Sequence, residues 1–236
     1  MEKGNKRVLI IIPAYNEAEN INDVIQNLQG VGDGEDYIVD YLVVNDCSHD
    51  NTLEVLRRGN RSYVSLPINL GIGGGVQCGY LYAQEHDYDI AIQMDGDGQH
   101  DPQYIETLVR PILRNEADMT LGSRFINKEG FQSSALRRFG IRFLSNAIWI
   151  ASRARIKDVT SGFRAVNKKI IREFAGDYAQ DYPEPESLVV CARKHYRIKE
   201  VPVRMRERQG GESSISPLKS VYYMIKVTIA IIFRGM

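Results

Sequence analysis

The chain has 236 residues, 43% of them hydrophobic, which is enough to bury the core of one large domain and too apolar for a disordered chain. Lys plus Arg and Asp plus Glu both number 30, a balance that excludes nucleic-acid binding by bulk charge. Cys47, Cys78 and Cys191 lack the paired spacing of a zinc site or disulfide framework, which fits a reducing cytosol, and neither a signal peptide nor an apolar run near the roughly 20 residues of a bilayer span is present.

Val8–Ile12 is a short apolar run of the kind a buried parallel strand requires, and Pro13 ends it. A helical pattern follows through Ile21, Val24, Ile25 and Leu28, with Gly30 as its stop. Tyr41–Asp46 repeats the strand, and Ser48-His-Asp-Asn-Thr52 offers an N-cap to a helix carrying Leu53, Val55 and Leu56. Asp46 therefore falls at a strand's carboxyl end. A third strand at Tyr63 leads to the glycine-rich turn Asn69-Leu-Gly71-Ile-Gly-Gly-Gly75, which enters a helix through about Gln84. Backbone this bare, at Asn69 and Gly71, approaches a phosphate or sugar closely, although glycines serve tight packing equally well.

The fourth strand, Asp89–Met94, delivers Asp95-Gly-Asp97-Gly-Gln99-His100. Two carboxylates at i and i+2 on a chain that glycine lets turn sharply can face one hard cation, and so sparse a set fits a cation shared with a diphosphate rather than a closed cage. The competing reading is a solvated Asp-Gly turn closing a hairpin. Asp101-Pro102 opens a helix, and a strand lies near Met119–Leu121. Strands alternating with helices predict an open, parallel α/β sheet, which binds ligands beyond the carboxyl ends of its strands, where Pro13–Glu17, Asp46, Asp95 and Asp97 all fall.

Leu136–Lys157 interleaves Arg137, Arg138, Arg142, Arg153 and Arg155 with Phe139, Ile141, Phe143, Leu144, Ile148, Trp149 and Ile150. This is a basic amphipathic helix, either packed on the core or lying at a membrane surface. Asp158–Arg164 reads as a loop or short strand, Lys168–Phe174 as a helix, Ser187–His195 as another, and Ile198–Val203 as an edge strand, because Pro202 has no N–H for a ladder. Arg204, Arg206 and Arg208 alternate beyond it, suited to a phosphate or to solvent. Leu218–Met236 is a second amphipathic candidate.

These motifs together resemble the family 2 inverting glycosyltransferases of the GT-A fold, specifically the dolichyl- and polyprenyl-phosphate sugar synthases. The resemblance rests on Ile12–Glu17, Val43–Asp46, Asn69–Gly71, Met94–Gln99, Gly122-Ser-Arg124, Thr160–Arg164 and Arg208–Ser213, and covers nearly the whole length. It implies a GT-A domain over residues 1–215, a single Rossmann-like, mostly parallel sheet flanked by helices, and an amphipathic helix over 216–236. It further implies that Pro13, Tyr15, Glu17 and Asp46 hold the nucleoside, that Asp95, Asp97 and Gln99 reach Mg2+ or Mn2+ on the donor diphosphate, and that Arg208 contacts that diphosphate. Arg124, with Arg138 or Arg142, would grip the lipid phosphate, leaving Asp97, Arg124 and Arg138 as the expected catalytic set.

Two departures qualify the likeness. The family often ends its flexible loop in Ser-Lys, whereas this chain reads Ser213-Ser214, so Arg204 or Arg206 is the expected substitute. Many relatives also continue into transmembrane helices, and this sequence shows none up to Met236, so the expected location is the cytoplasm, peripheral on the inner face of the cell membrane, or docked on a small membrane-spanning subunit. The implied partners are a nucleotide sugar, guessed as UDP-GlcNAc or UDP-Glc with GDP-Man next, and polyprenyl phosphate, with no nucleic acid. Transfer to a hydroxyl of a growing surface glycan, with Glu184 or Glu186 as base, and a noncatalytic nucleotide-binding scaffold are the alternatives.

Overall fold

The computed structural model describes residues 5–32, 36–127 and 135–206, together with Lys226, which is helical. Arg208 and the rest of the segment Leu218–Met236 lie outside the described residues.

Seven strands form one sheet in the order β3-β2-β1-β4-β6-β5-β7. They are β1 (Lys6–Ala14), β2 (Tyr37–Asn45), β3 (Tyr63–Ser65), β4 (Ile90–Gln93), β5 (Met119–Ser123), β6 (Arg164–Asn167) and β7 (Ile198–Pro202). The helices are α1 (Ile21–Gln26), α2 (Thr52–Arg58), α3 (Gly71–Glu85), α4 (Ile105–Leu113), α5 (Ala135–Ser152), α6 (Lys168–Gly176) and α7 (Pro183–Arg193). Side chains of β1 alternate between two cores, as the two-residue strand period requires. Leu9 and Ile11 pack with residues of α3, α5, α6 and α7, whereas Val8, Ile10 and Ile12 pack with residues of α1, α2 and α4. A strand covered on both faces must be apolar throughout, which explains the unbroken run Val8–Ile12.

The sheet is parallel except for β6, which is antiparallel to both β4 and β5. Its four residues, Arg-Ala-Val-Asn, are too few to show a two-residue period, so the strand was only half visible in the sequence. Because β6 runs against its neighbours, its first residue, Arg164, sits opposite Gln93 of β4 and Leu121 of β5. The loop that precedes β6 therefore reaches the same rim as the carboxyl ends of the other strands.

The glycines of α3 divide between two duties. A Cβ on Gly73 would lie 2.3 Å from the Ala179 carbonyl oxygen, and one on Gly79 would lie 2.2 Å from Cγ2 of Ile11, so these two are required by close packing. Gly71, at φ +76° in the left-handed region, makes the turn into the helix. In α5, Ile141, Leu144 and Ile148 are buried in the core, while Phe143, Trp149 and Ile150 remain exposed. The core-packing reading of its apolar stripe thus holds, and a second apolar group is left facing out.

Candidate active site

The strand order sets the order of polar groups along the rim. Asp46 follows β2, the loop Pro13–Glu17 ends and follows β1, Asp95 and Asp97 follow β4, Ser161–Phe163 precede β6, and Arg124 follows β5. A cavity of about 520 Å³ opens across the first half of this row, lined by Pro13, Tyr15, Glu17, Asp46, Asn69, Gly71, Ile72, Gly75, Asp95, Asp97 and Glu184 among others.

One end of it, beside β1 and β2, is held by bonds between loops. The Asp46 carboxylate accepts from the Leu70 N–H at 2.7 Å, and Asn69 Nδ2 donates to the Asp46 carbonyl at 3.1 Å, which ties β2 to the glycine-rich turn. Asn16, at φ +57°, donates its N–H to Ser48 Oγ and accepts from the His49 N–H, while Glu17 N–H donates to Thr52 Oγ1. Asparagine tolerates that left-handed backbone better than most residues. The exposed ring of Tyr15, edge-on to His49 at 6.2 Å, stands at the mouth.

At the centre, Gln99 N–H donates to Asp97 Oδ1 at 3.0 Å, closing the turn that carries both aspartates. A Cβ on Gly96 would lie 3.1 Å from the Pro13 carbonyl, so the glycine lets this turn sit against the end of β1. His100 is buried and stacked on Phe163 at 4.8 Å; its Nδ1 accepts from the Asp95 N–H at 3.0 Å. The remaining ring proton therefore resides on Nε2, 3.7 Å from Asp95 Oδ2. Burial pushes the imidazole pKa down to about 4, so at neutral pH His100 is an uncharged support for Asp95. Gly162 approaches from the other side, where a Cβ would be 3.0 Å from both Asp95 carboxylate oxygens.

Glu184 opens the first turn of α7 and lines the same cavity. Burial raises its pKa, with Asp95 adding to the rise and Arg164 opposing it. Arg164 itself is fully buried, and donates to the Ser161 and Glu184 carbonyls and to Ser187 Oγ.

A second cavity, of about 560 Å³, is lined by Phe125 from beyond β5, by Arg138, Ile141, Arg142, Ser145 and Asn146 of α5, and by Lys157. Arg124 is engaged differently. Its Nε and Nη2 donate to the two oxygens of Asp158 at 2.8 and 2.7 Å, its N–H donates to Asp158 at 3.0 Å, and Nη2 also reaches Thr160 Oγ1. Glu200 of β7 in turn accepts from the N–H groups of Lys157 and Asp158, fixing the segment that bears Lys157.

The sequence profile of Glycosyl transferase family 2 matches residues 9–174, which include every residue named above in the lining of the first cavity except Glu184. The chain belongs to glycosyl transferase family 2. Among the relatives of this transferase is a UDP-N-acetylglucosamine–dolichyl-phosphate N-acetylglucosaminyltransferase of Methanococcus voltae, 29% identical, with 85% of this chain and 86% of the relative covered. An undecaprenyl-phosphate mannosyltransferase of Micrococcus luteus is 28% identical, with 89% and 88% covered. In the solved structures, glucosyl-3-phosphoglycerate synthase of Mycobacterium tuberculosis, in complex with Mn2+, UDP-glucose and phosphoglyceric acid, superposes with a TM-score of 0.73 at 18% identity over 97% of this chain and 79% of that one. That likeness establishes the GT-A fold.

In this transferase the structure brings together Pro13, Tyr15, Glu17, Asp46, Asn69, Gly71, Asp95 and Asp97, and separately Arg138 and Arg142. Gln99, expected at the cation, acts visibly through its backbone, and its side chain does not line the cavity. Arg206, which with Arg204 was expected to stand in for the family's loop lysine, is paired with Asp101 at 2.8 Å, and its N–H donates to the Gln99 carbonyl where the chain turns back after β7. Sequence reading gave no role to His100 or Lys157. For His100 the signal was its place directly after the aspartate turn; Lys157 had only its position at the end of the basic segment.

Asp95 and Asp97 suit a hard cation by their chemistry. Among the described residues no three His, Cys, Asp or Glu side chains cluster as a closed metal cage. Two carboxylates at the floor of an open cavity fit a cation whose remaining ligands are substrate oxygens and water.

Proposed function

We propose that this transferase moves a hexosyl unit from a nucleotide diphosphate sugar to a polyprenyl phosphate, with inversion at the anomeric carbon. The observation that carries the reading is the pair of cavities, the first with Asp95 and Asp97 among its acidic lining and the second with the basic side chains Arg138, Arg142 and Lys157. Relatives named for dolichyl or undecaprenyl phosphate support the same acceptor.

Tyr15, Asp46 and Asn69 would receive the nucleoside, and Asp95 and Asp97 would hold Mg2+ or Mn2+, which offsets charge on the leaving diphosphate. A phosphate monoester is largely ionised at neutral pH, its second pKa being about 6, so its oxygen attacks the anomeric carbon without losing a proton to a base. The carbon–oxygen bond to the diphosphate breaks and the nucleoside diphosphate departs. Arg138, Arg142 and Lys157 align the nucleophile, while Arg124, held by Asp158 and Thr160, is outside that lining. A UDP-hexose or UDP-N-acetylhexosamine is the donor we favour, with GDP-mannose next.

Among the described residues no helix is long and apolar enough to cross a membrane. The acceptor's tail nevertheless lies in a bilayer, and exposed Phe143, Trp149 and Ile150 share α5 with Arg142, while the Arg153 and Arg155 guanidinium carbons lie 5.9 and 5.6 Å from the Trp149 ring. That combination suits the headgroup region, so we place the enzyme peripherally on the inner face of the cell membrane. The test is nucleotide release from UDP-Glc, UDP-GlcNAc and GDP-Man with Mn2+ and vesicles carrying undecaprenyl phosphate. Release should require the lipid phosphate and vanish with chelator or in Asp97→Ala; release that survives chelation would remove the cation from the reaction.

A further inference from the structure

Transfer to a phosphate leaves one carboxyl of the donor cavity without a task. Asp95 and Asp97 face the diphosphate, and Glu17 and Asp46 belong to the ends of β1 and β2. Glu184 is the remaining acid of the lining, and its backbone carbonyl is tied to Arg164 at the start of β6. The placement follows from topology. β6 lies between β4, which bears the aspartates, and β5, which leads to Arg124 and Phe125, and Arg164 at the start of β6 donates its Nη1 to the Glu184 carbonyl at 3.2 Å. A group in transit from a diphosphate at β4 to a phosphate beside β5 and α5 must cross this stretch of the rim.

We propose that Glu184 is a specificity-determining residue whose carboxylate accepts hydrogen bonds from hydroxyl groups of the transferred hexosyl unit. The inference rests on the glycosyl-transfer reading given above. A hexosyl unit presents neutral hydroxyl donors, and an ionised carboxylate is an acceptor with two oxygens and about four lone-pair sites. Its mounting is stiff. Pro183 and Pro185 flank it, each fixing its own backbone φ, and Ser187 Oγ donates to the Glu184 carbonyl at 3.0 Å while accepting from Arg164 at 2.7 Å. A carboxylate carried on so stiff a backbone penalises a sugar that lacks the matching hydroxyl, because one acceptor contact in a partly buried pocket is then lost.

The experiment compares calorimetric binding of nucleoside diphosphate and of the matching nucleotide sugar to the full chain with Mn2+, using whichever of UDP-Glc, UDP-GlcNAc and GDP-Man binds best. Glu184→Gln and Glu184→Ala should leave the affinity for the bare nucleotide within about twofold and weaken the nucleotide sugar by about tenfold to a hundredfold, the range for a hydrogen bond to a charged group. Deoxy analogues of that donor should reproduce the loss on the wild type and cost nothing further on Glu184→Ala. Equal weakening of nucleotide and nucleotide sugar would overturn the proposal, since Glu184 would then act on the diphosphate. So would unchanged binding with a fall in kcat alone and loss of one limb of the pH profile, the signature of a base serving a hydroxyl acceptor. Should neither variant fold, the deoxy series on the wild type decides, and a loss below about threefold at every hydroxyl overturns the proposal, since a lost bond to a charged group costs more. Failure of the wild type to release nucleotide in the presence of lipid phosphate would instead refute the choice of acceptor, and leaves the binding comparison standing.

Discussion

Substituting Gly162 by alanine adds one methyl group directly against Asp95. The new Cβ would lie 3.0 Å from both carboxylate oxygens and 3.3 Å from the carboxylate carbon. Comfortable non-bonded separations for carbon are about 3.5 Å or more, so the carboxylate must retreat by roughly half an ångström. Metal–ligand distances tolerate only about 0.2 Å, so a retreat of that size changes the ligand geometry. The Asp95 backbone cannot follow freely, because its N–H is held by His100 Nδ1. Its side chain, however, is 36% exposed and has solvent to turn into, so relief should come from the ligand rather than the fold. Disturbing a group that orients a metal ligand typically costs about 10- to 100-fold in metal affinity. Gly162→Ala is therefore expected to raise the Mn2+ concentration at half-maximal turnover by about that factor, to recover rate at saturating Mn2+, and to melt within a few degrees of wild type. An unchanged Mn2+ dependence in a folded variant would refute the argument that this glycine exists to admit Asp95.

Asp158→Asn removes the charge opposite Arg124, whose side chain is only 7% exposed, and breaking such a buried pair should cost about 3 kcal/mol or more in urea unfolding; a loss under about 1 kcal/mol would mean the guanidinium finds water instead. Arg138→Ala and Lys157→Ala should each raise the KM for polyprenyl phosphate about tenfold or more while nucleotide affinity holds, since a charge-assisted contact contributes about 1.5 to 3 kcal/mol. Equal losses in nucleotide affinity would reassign the second cavity to the donor. Asp118 accepts from Arg197 and from Asn167 Nδ2, and the Arg197 bonds hold its pKa below the ordinary 3.8. Its stabilising contribution is therefore present above that value and is lost as pH falls through it toward the folded-state pKa. Asp118→Asn should flatten the acid limb of a stability profile below about pH 4. A stability difference from wild type that stays constant from neutral to acid pH would contradict this assignment.

Much of the site was legible in the linear sequence because its parts are local. Asp95-Gly-Asp97 follows an apolar strand, Asp46 ends another, and Asn69–Gly75 is bare backbone entering a helix. In a parallel sheet every such strand end falls on one rim, so listing them was nearly sufficient to assemble the first cavity. The strand period also determined the two-sided core, since a run such as Val8–Ile12 is stable only with helices on both faces.

What the sequence left open depends on contacts between distant segments. Arg124 and Arg138 were both expected at the acceptor phosphate, yet the fold buries the first against Asp158, 34 residues away, and sets the second in the lining of a cavity. Arg206 likewise looked available until the chain beyond β7 brought it to Asp101. Composition and spacing determined the sheet and placed the aspartates on its rim. Only the tertiary structure decided that Arg124 pairs with Asp158 and Arg206 with Asp101, because an ion pair is decided by which carboxylate the folded chain carries within about 4 Å of the guanidinium.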